Sequence, residues 1–471
     1  HFGRAVSFTY NAQGWMESFT DPVLQRAQYE YDSIGNLASV TYPGGTVRRY
    51  HYEDTTWTHN LTGITDENGN RFATWSYTGN KAKTSERAGG AEKVTLTYGT
   101  TTTSVLDSLG TTSIYTFQNI LGSAKNTKIS QPCGTCGNVA SRTYDANGNV
   151  SSSTDFKGNV TTFIYDLTRN LETSRTEASG TALARTITTQ WHPTLRLPSK
   201  ITEPGRVTDF VYDPAKGTLT NKTVTDTPSG KKRIWAYTYN ANGQVLTVDA
   251  PRTDAADTAT YTYDVKGNVA TYTNALSQIT RYTNYDAAGR LLSITDPNGL
   301  VTTLTYDLRG RLKTRTVGAE LTQYDYDNVG QLIKVTQPDN SFTAYTYDAA
   351  HRLTDIQDSF ANKIHYILDT MGNRTKEEIS DPTGTLVQSR TRIINALNRL
   401  QKDIGGSNPL TQITQFGYDN NGNLTSMIDP LIRTTGSAYD ALNRLTQMTD
   451  PANGTVKFAY DSLDHLNKVT D

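Results

Sequence analysis

One short pattern returns along the whole chain at a regular interval of about 21 residues, and a period of this size is typical of repeat architectures. An aromatic residue followed by Asp marks each copy, and Tyr285, Tyr306, Tyr326 and Tyr347 follow one another at this interval. Where the Tyr is replaced the spacing is kept, since Leu368 lies one such interval after Tyr347. A repeat this short cannot bury an apolar face alone, so each copy must pack against its neighbours.

Three longer steps interrupt the period, namely Tyr212 to Tyr239, Leu368 to Ile394 and Ile394 to Tyr418, and the first two contain turn-like insertions. The step from Tyr212 to Tyr239 contains TDTPSGKKR, and the step from Leu368 to Ile394 contains ISDPTGTL. Because Pro, Gly, Ser and Asp are typical of turns, these insertions predict extended turns or loops.

The organisation of the chain follows from the same period. Residues 51–143 carry the least regular copies, with weak markers at Tyr77 and Tyr98. We assign them to the same array and predict a single YD-repeat domain over residues 1–471. The first and last residues both fall inside the pattern, so we expect the array to have been cut from a longer chain.

Each copy predicts two short strands joined by turns at opposite ends. In the copy that begins at Tyr285, Asp286 starts the first turn, where its carboxylate can accept backbone N–H groups. Gly289 stands at the left-handed position that follows a type I turn, where a residue without a Cβ is favoured. The second turn is DPNG, in which Pro297 presets φ. No segment shows a sustained helical period, so the sequence predicts an all-β fold of successive antiparallel hairpins.

The structural repeat motif is the aromatic–Asp pair together with the residue three positions after the Asp. We assign it a backbone role and no catalytic one. Its members are Tyr31, Asp32, Gly35, Tyr144, Asp145, Gly148, Tyr263, Asp264, Gly267, Tyr285, Asp286, Gly289, Tyr306, Asp307, Gly310, Tyr326, Asp327, Gly330, Tyr418, Asp419, Gly422, Tyr439, Asp440 and Asn443.

Several copies lack the glycine. Its position holds His351, Asn398, Asn443 and Asp464, which are residue types enriched in left-handed backbone. We therefore expect positive φ at this position in every such copy. Arg169 is the exception, and there we expect either a strained left-handed residue or another type of turn.

Composition limits the partners. The chain has 45 basic and 46 acidic side chains and a net charge of −1, so it has no long-range field for nucleic acid, and we expect no nucleic-acid partner. It has no apolar run of about 18 residues, so we expect no membrane span in this segment. The 28 tyrosines suit a pleated sheet with one wet face. The run TYTYD then predicts that Tyr261 and Thr262 point to opposite faces, and that the tyrosines of stacked units form cross-strand ladders.

The repeated Y-D-x-x-G-N/R-L unit resembles the Rhs/YD-repeat family, which includes bacterial Rhs polymorphic toxins, the B and C components of insecticidal Tc toxins, and animal teneurins. Its copies include YDSIGNL, YDANGNV, YDVKGNV, YDAAGRL, YDLRGRL, YDNVGQL and YDNNGNL, and they cover nearly the whole chain. The resemblance implies a spiral antiparallel sheet coiled into a hollow shell or wide barrel. In the toxin members this shell encloses a C-terminal effector.

Two functional hypotheses follow from the resemblance. The first is a structural β-shell segment of a secreted or cell-surface protein, with an enclosed effector or toxin domain of the same polypeptide as its partner. The second is an extracellular surface or adhesion protein that binds a glycan or protein through its outer face or loops. The sequence contains no HExxH, GxSxG or Walker motif, so we expect neither an enzyme nor a cofactor.

Three further patterns have plain structural interpretations. Cys133 and Cys136 form a CxxC pair, but zinc needs two more ligands at matching spacing, and we expect no metal there. A local disulfide between them is favoured in an exported protein, and a reduced pair is the alternative. The stretches DANGN and DNNGN imitate calcium loops but have Gly fourth instead of sixth. The basic cluster Lys231–Arg233 is interpreted as a solvated loop face.

Overall fold

The structure is a computed structural model that describes residues 3–132, 139–405 and 412–471. Within these ranges the chain forms 42 β-strands, and the one helical element is a single 3-10 turn, Ala88–Gly90. Strand pairs are antiparallel and join elements that follow each other in the chain, as in β1 with β2 and β27 with β28. The predicted all-β fold of successive hairpins is therefore confirmed.

The chain divides into two compact units, each built from two separate stretches of sequence. The first unit comprises His1–Leu96 and Ala259–Ser389, and the second comprises Thr97–Thr258 and Arg390–Asp471. Three strands contain the residues at which the chain passes from one unit to the other: β9 (Val94–Tyr98), β23 (Thr258–Tyr263) and β35 (Leu386–Ile394).

The first unit holds the following strands. Its earlier stretch has β1 (Ser7–Tyr10), β2 (Met16–Thr20), β3 (Arg26–Tyr31), β4 (Leu37–Thr41), β5 (Val47–His51), β6 (Gly63–Thr65), β7 (Arg71–Thr78) and β8 (Lys81–Arg87). Its later stretch has β24 (Val269–Thr273), β25 (Ile279–Tyr285), β26 (Leu291–Thr295), β27 (Val301–Tyr306), β28 (Leu312–Val317), β29 (Glu320–Tyr326), β30 (Leu332–Thr336), β31 (Phe342–Tyr347), β32 (Leu353–Asp358), β33 (Lys363–Leu368) and β34 (Arg374–Ser380).

The second unit is organised in the same way. Its earlier stretch has β10 (Thr102–Leu106), β11 (Thr112–Ile120), β12 (Ser123–Ile129), β13 (Val139–Tyr144), β14 (Val150–Asp155), β15 (Val160–Asp166), β16 (Leu171–Ser179), β17 (Arg185–Trp191), β18 (Pro198–Glu203), β19 (Arg206–Tyr212), β20 (Leu219–Asp226), β21 (Lys232–Tyr239) and β22 (Val245–Asp249). Its later stretch has β36 (Leu400–Gly405), β37 (Ile413–Tyr418), β38 (Leu424–Ile428), β39 (Thr434–Tyr439), β40 (Leu445–Thr449), β41 (Thr455–Tyr460) and β42 (Leu466–Thr470).

All 42 strands belong to one sheet. Within the described ranges β1 and β42 do not pair with each other, so the sheet is not closed.

The hairpin between β27 and β28 shows the geometry of one repeat turn. The backbone N–H of Asp307 donates to the carbonyl oxygen of Arg311 at 2.9 Å, and that of Gly310 donates to Asp307 at 3.0 Å. The strand register shifts by one residue at Tyr306. This is the type I turn with a left-handed residue and a bulge that closes many hairpins, as the Asp and Gly positions predicted.

The two long steps with turn-like insertions are absorbed mainly by the strands. In a regular repeat β26 has 5 residues and β27 has 6. In the longer repeats β20 and β21 have 8 residues each and β35 has 9. The prediction of extended turns was therefore wrong for ISDPTGTL, where the N–H of Asp381 donates to Thr385 as in a regular turn. In TDTPSGKKR the turn is longer by one residue, because the N–H of Asp226 donates to Lys231. The inserted residues pair across the hairpin, as Thr225 does with Lys232, because each added pair satisfies its backbone groups in the ladder.

The two faces of the hairpin β23–β24 differ chemically, as predicted. Tyr261 lies opposite Tyr272 with ring centroids 5.2 Å apart. Thr262 lies opposite Thr271, and their hydroxyl oxygens are 2.7 Å apart. Only nine apolar side chains of the described residues are buried, so these neighbour pairs and not a thick core hold the sheet together.

Candidate functional site in the repeat turns

Asp307 organises its own turn through both carboxylate oxygens. Oδ1 accepts hydrogen bonds from the backbone N–H groups of Arg309 and Arg311, each at 2.9 Å. Oδ2 accepts one from Nε of Arg311 at 2.6 Å. Partial burial raises the pKa of Asp307, but the hydrogen bonds and the charge of Arg311 together hold that pKa below its ordinary value. Both oxygens are thus engaged inside the turn.

The same turn recurs in every predicted copy of the motif. Oδ1 of the Asp accepts the backbone N–H of the fourth residue after it at 2.8–3.0 Å in Asp32, Asp145, Asp264, Asp286, Asp307, Asp327, Asp419 and Asp440. The glycines have φ between 74° and 103° at Gly35, Gly148, Gly267, Gly289, Gly310, Gly330 and Gly422. The non-glycine residues His351, Asn398, Asn443 and Asp464 have φ between 59° and 67°. The predicted left-handed geometry is confirmed.

Arg169 belongs to a different turn, which is the second of the two outcomes expected for it. The left-handed residue there is the next one, Asn170, with φ 50°. The guanidinium of Arg169 donates to the carbonyl oxygens of His192 at 2.8 Å and Leu195 at 2.7 Å. This side chain therefore links two successive turns.

The tyrosine of each motif joins its repeat to the preceding one. Tyr306 lies in β27, and its hydroxyl donates to the carbonyl oxygen of Leu291, the first residue of the preceding strand β26, at 2.9 Å. Hydrogen bonds of 2.6–3.0 Å to the preceding repeat are made in the same way by Tyr31, Tyr77, Tyr144, Tyr212, Tyr239, Tyr285, Tyr326, Tyr347, Tyr418, Tyr439 and Tyr460. Trp191 replaces the tyrosine in one copy and donates from Nε1 to Glu172 at 2.7 Å.

Arginines four residues after the Asp add a second link between repeats. The guanidinium of Arg311 lies 4.7 Å from the ring centroid of Tyr326 and donates to the carbonyl oxygen of Asp327 at 3.2 Å. Arg444 covers Tyr460 in the same way at 4.9 Å. The sequence showed Arg at this position of the motif but gave it no role. In the copies that have this Arg, a repeat thus contacts the next through a ring, a cation and a backbone carbonyl.

The turn Asp66–Asn70 of the first unit contacts residues far away in sequence. Glu67 has no exposed side-chain surface and is paired with Arg48 at 3.1 Å and with Arg309 at 3.2 Å. Arg309 lies in the repeat turn after β27, and its guanidinium also stacks 4.3 Å from the ring centroid of Tyr42. Because Glu67 is removed from water, the two arginines take the place of water as partners of its carboxylate.

Asp66 makes the second of these long-range contacts. Its buried Oδ2 lies 2.8 Å from Nε2 of His351. The His351 ring is stacked on Phe72 with centroids 4.0 Å apart, and Arg87 covers the Phe72 ring at 4.4 Å. His351 occupies the position that is Gly in most copies, so a side chain at the left-handed residue makes this contact.

A third contact joins the turn Asp66–Asn70 to the later stretch. Nδ2 of Asn68 donates to Oδ2 of Asp327 at 3.0 Å. Arg309, Asp327 and His351 belong to three successive repeat turns, and the adjacent residues Asp66, Glu67 and Asn68 each contact one of them. One turn of the earlier stretch therefore fixes the position of three turns of the later stretch.

The second unit uses an equivalent turn. Oδ2 of Asp155 accepts from Nδ2 of Asn421 at 2.7 Å, and Nζ of Lys157 lies 3.1 Å from Asp419. Further along, Asp464 pairs with Arg185 at 2.7 Å. Asp464, like His351, stands in the glycine position of its motif, so a side chain at that position again contacts the other stretch.

Sequence reasoning missed these contacts, although a signal was present. The two turns are Thr65–Asn70 (TDENGN) and Thr154–Asn159 (TDFKGN), and they alone in the chain read T-D-x-x-G-N. In both turns an Asn stands four residues after the Asp, and its backbone N–H donates to Oδ1 of that Asp at 2.8 Å. The signal was obscure because the first turn lies in the least regular part of the chain.

Metal and membrane sites have no support among the residues in the described ranges. There, no three His, Cys, Asp or Glu side chains group in a way that could hold a metal ion. No helix of that part of the chain is long and apolar enough to cross a membrane. Cys133 and Cys136 lie outside the described residues.

The sequence matches two family models. The model described as Teneurin YD-shell matches residues 209–387, and the model described as RHS Repeat matches residues 31–71, 144–182 and 439–471. No curated protein is a significant match to the chain. The expected resemblance to the Rhs/YD-repeat family is confirmed by the two models.

Solved structures share the fold. The crystal structure of TcdB2-TccC3 without hypervariable C-terminal region matches 98% of this chain with a TM-score of 0.64 and 14% identity. TcdB2-TccC3-Cdc42 matches 98% with a TM-score of 0.62 and 14% identity, and TcdB2-TccC3 matches 98% with a TM-score of 0.51 and 15% identity. This chain spans 28–29% of the length of those chains. At these identities the likeness concerns the fold.

Proposed function

We propose that residues 1–471 form one YD-repeat array that serves as a structural β-shell segment of a secreted or cell-surface protein. The array encloses an effector domain of the same polypeptide. The observation that carries this proposal is the likeness to TcdB2-TccC3, with a TM-score of 0.64 over 98% of the chain. The match of residues 209–387 to the Teneurin YD-shell model supports it independently.

The geometry of the motif supports a structural role without catalysis. A general acid or base needs a free proton-accepting atom and is often recognised by a pKa moved toward neutrality. The motif carboxylates show the opposite: both oxygens of Asp307 are engaged in the turn, and its pKa is lowered. The tyrosine hydroxyls are engaged by carbonyl groups of neighbouring repeats, as in Tyr306.

The proposal is tested by limited proteolysis of the full-length polypeptide that contains this array. A segment enclosed by the array should resist proteinase K under native conditions, and mass spectrometry should recover it intact. Guanidinium at a concentration that unfolds the array should expose the same segment to cleavage, because the protection comes from the shell.

A flexible tag added at one terminus of the same polypeptide serves as the internal control, since it must be cut in every sample. If all segments outside residues 1–471 are cut as fast as the tag while the array stays intact, enclosure is excluded. The array would then be structural without a cargo.

A further inference from the structure

A cavity of about 370 Å³ in the second unit lies outside the repeat motif. Its polar lining comes from Arg206, Asp226, Ser229, Lys231, Arg233 and His465. The cavity brings together the turn before β19, the hairpin β20–β21 and the last repeat turn. Ser462 ties these parts together, because its hydroxyl donates to the carbonyl oxygen of Pro204 at 2.8 Å.

Two cations of this cavity, Lys231 and Arg233, share its lining with one carboxylate, that of Asp226. Lys231 ends the turn before β21 and Arg233 is the second residue of β21, and both line the cavity, whereas Lys232 does not. Neither Lys231 nor Arg233 forms an ion pair with any residue in the described part of the chain. Arg206 differs, since Glu203 binds its guanidinium at 2.7 Å and 2.9 Å.

The carboxylates near the cavity are already engaged. Oδ2 of Asp226 accepts the backbone N–H of Ser229 at 3.1 Å and also its hydroxyl. Asp461 is bound by Nδ1 of His465 at 2.9 Å. Because Ser229 is neutral, Asp226 keeps its negative charge, and the cationic excess of the lining comes from the two unpaired cations Lys231 and Arg233 against this one carboxylate.

We propose that this cavity binds a tetrahedral oxyanion, namely the phosphate or sulfate group of a small ester. Lys231 supplies a mobile ammonium, and Arg233 supplies a planar fork of donors that fits two oxygens of such a group. His465 also lines the cavity, and its Nδ1 is held by Asp461. A volume of about 370 Å³ leaves room for the organic part of the ester.

The site is tested by titrating the 471-residue chain with inorganic phosphate in a calorimeter, at an ionic strength kept constant with sodium chloride. The wild-type chain should show saturable binding. The double variant Lys231→Gln/Arg233→Gln should bind at least about tenfold more weakly, since it loses two charged donors. The matched control Lys232→Gln removes a neighbouring charge that does not line the cavity and should bind like the wild type.

Each result decides the question. No saturable binding above the chloride background, or equal binding by the double variant, overturns the proposal. An equal loss in Lys232→Gln shows only general charge attraction and overturns it as well. A parallel titration with inorganic sulfate separates the two candidate oxyanions. The ion that binds more tightly shows whether the ligand is a phosphate ester or a sulfate ester. Circular dichroism of each variant confirms that the strands are intact.

Discussion

The hydroxyl of Tyr306 donates a hydrogen bond of 2.9 Å to the backbone carbonyl oxygen of Leu291, fifteen residues earlier in the chain. Tyr306 is the last residue of β27 and Leu291 is the first residue of β26, so the bond ties the end of one strand to the beginning of the strand before it. Arg290, just before Leu291, covers the Tyr306 ring at 5.0 Å. The tyrosine of the motif thus links its repeat to the preceding one through its hydroxyl and its ring.

Removing this hydroxyl should loosen one repeat without unfolding the array. We expect Tyr306→Phe to cost about 0.5–1.5 kcal/mol, the usual net value of such a bond. The loss should appear as faster hydrogen exchange in the peptides that contain Leu291 and Tyr306, because local openings report local stability. Tyr324→Phe is the control, since no described residue hydrogen-bonds the Tyr324 hydroxyl. Equal effects of both variants would remove the hydroxyl from this account.

The left-handed residue of the turn should tolerate Asn and reject Val. Gly243 has φ 78°, and an added Cβ would meet nothing within 4 Å, so only the backbone conformation is tested there. We expect Gly243→Val to destabilise the hairpin by about 1–2 kcal/mol or more, and Gly243→Asn to cost much less. Thermal unfolding of the two variants measures the difference, and equal melting temperatures would contradict it.

At Gly289 the same comparison has a second component. A Cβ at that position would overlap the guanidinium of Arg4, so both Gly289→Val and Gly289→Asn must displace that side chain. We expect the difference between the two variants to match that at Gly243, with an added cost common to both.

The buried carboxylate of Glu67 should contribute far more than an exposed one. Glu67→Gln leaves Arg48 and Arg309 without their counter-charge, and we expect a loss of about 3 kcal/mol, the lower end for a broken buried pair because both arginines are partly exposed. Glu86→Gln is the control: Glu86 pairs with Lys93 at 2.9 Å near the surface and should cost about 1 kcal/mol or less. Denaturant unfolding of both variants gives the comparison. A loss at Glu67 no larger than that at Glu86 would show that this contact does not hold the first unit together.

Acid should destabilise the turns. Burial raises the pKa values of Asp286, Asp307 and Asp419. Hydrogen bonds and nearby positive charge outweigh burial and hold these pKa values below the ordinary value of 3.8. A group with a lowered folded pKa stabilises the fold above its unfolded pKa, and this contribution is lost as the pH falls through the folded value. We therefore expect a constant contribution above about pH 4 and a falling melting temperature below it, with a smaller fall in Asp307→Asn. A melting temperature that rises as the pH is lowered below this range would refute this.

The CxxC pair remains a prediction from sequence. We expect protein prepared without chelator to contain no zinc, because Cys133 and Cys136 are the only cysteines of the chain and a structural site needs four ligands. Elemental analysis checks this, and one zinc per chain that is released on alkylation of the thiols would contradict it.

The sequence alone determined the local geometry of the fold. Asp307 and Gly310 specify their turn because a carboxylate accepts adjacent N–H groups and a residue without Cβ adopts positive φ at low cost. Both requirements are met within a few neighbouring positions, so they can be read directly from the chain. The same local logic identified His351 and Asp464 as left-handed residues.

Tertiary structure decided which turns meet. His351 was predicted to be left-handed, but its contact with Asp66 joins residues 285 positions apart, and no local pattern fixes such a distance. The motif TDENGN reads as one more turn until folding brings Glu67 between Arg48 and Arg309. Short-range hydrogen bonds are determined by neighbours in sequence, whereas these pairings depend on how strand lengths and register add up over many repeats. Strand length is itself decided by tertiary pairing: β20, β21 and β35 are longer than the strands of a regular repeat, and they contain residues that the sequence had suggested for loops.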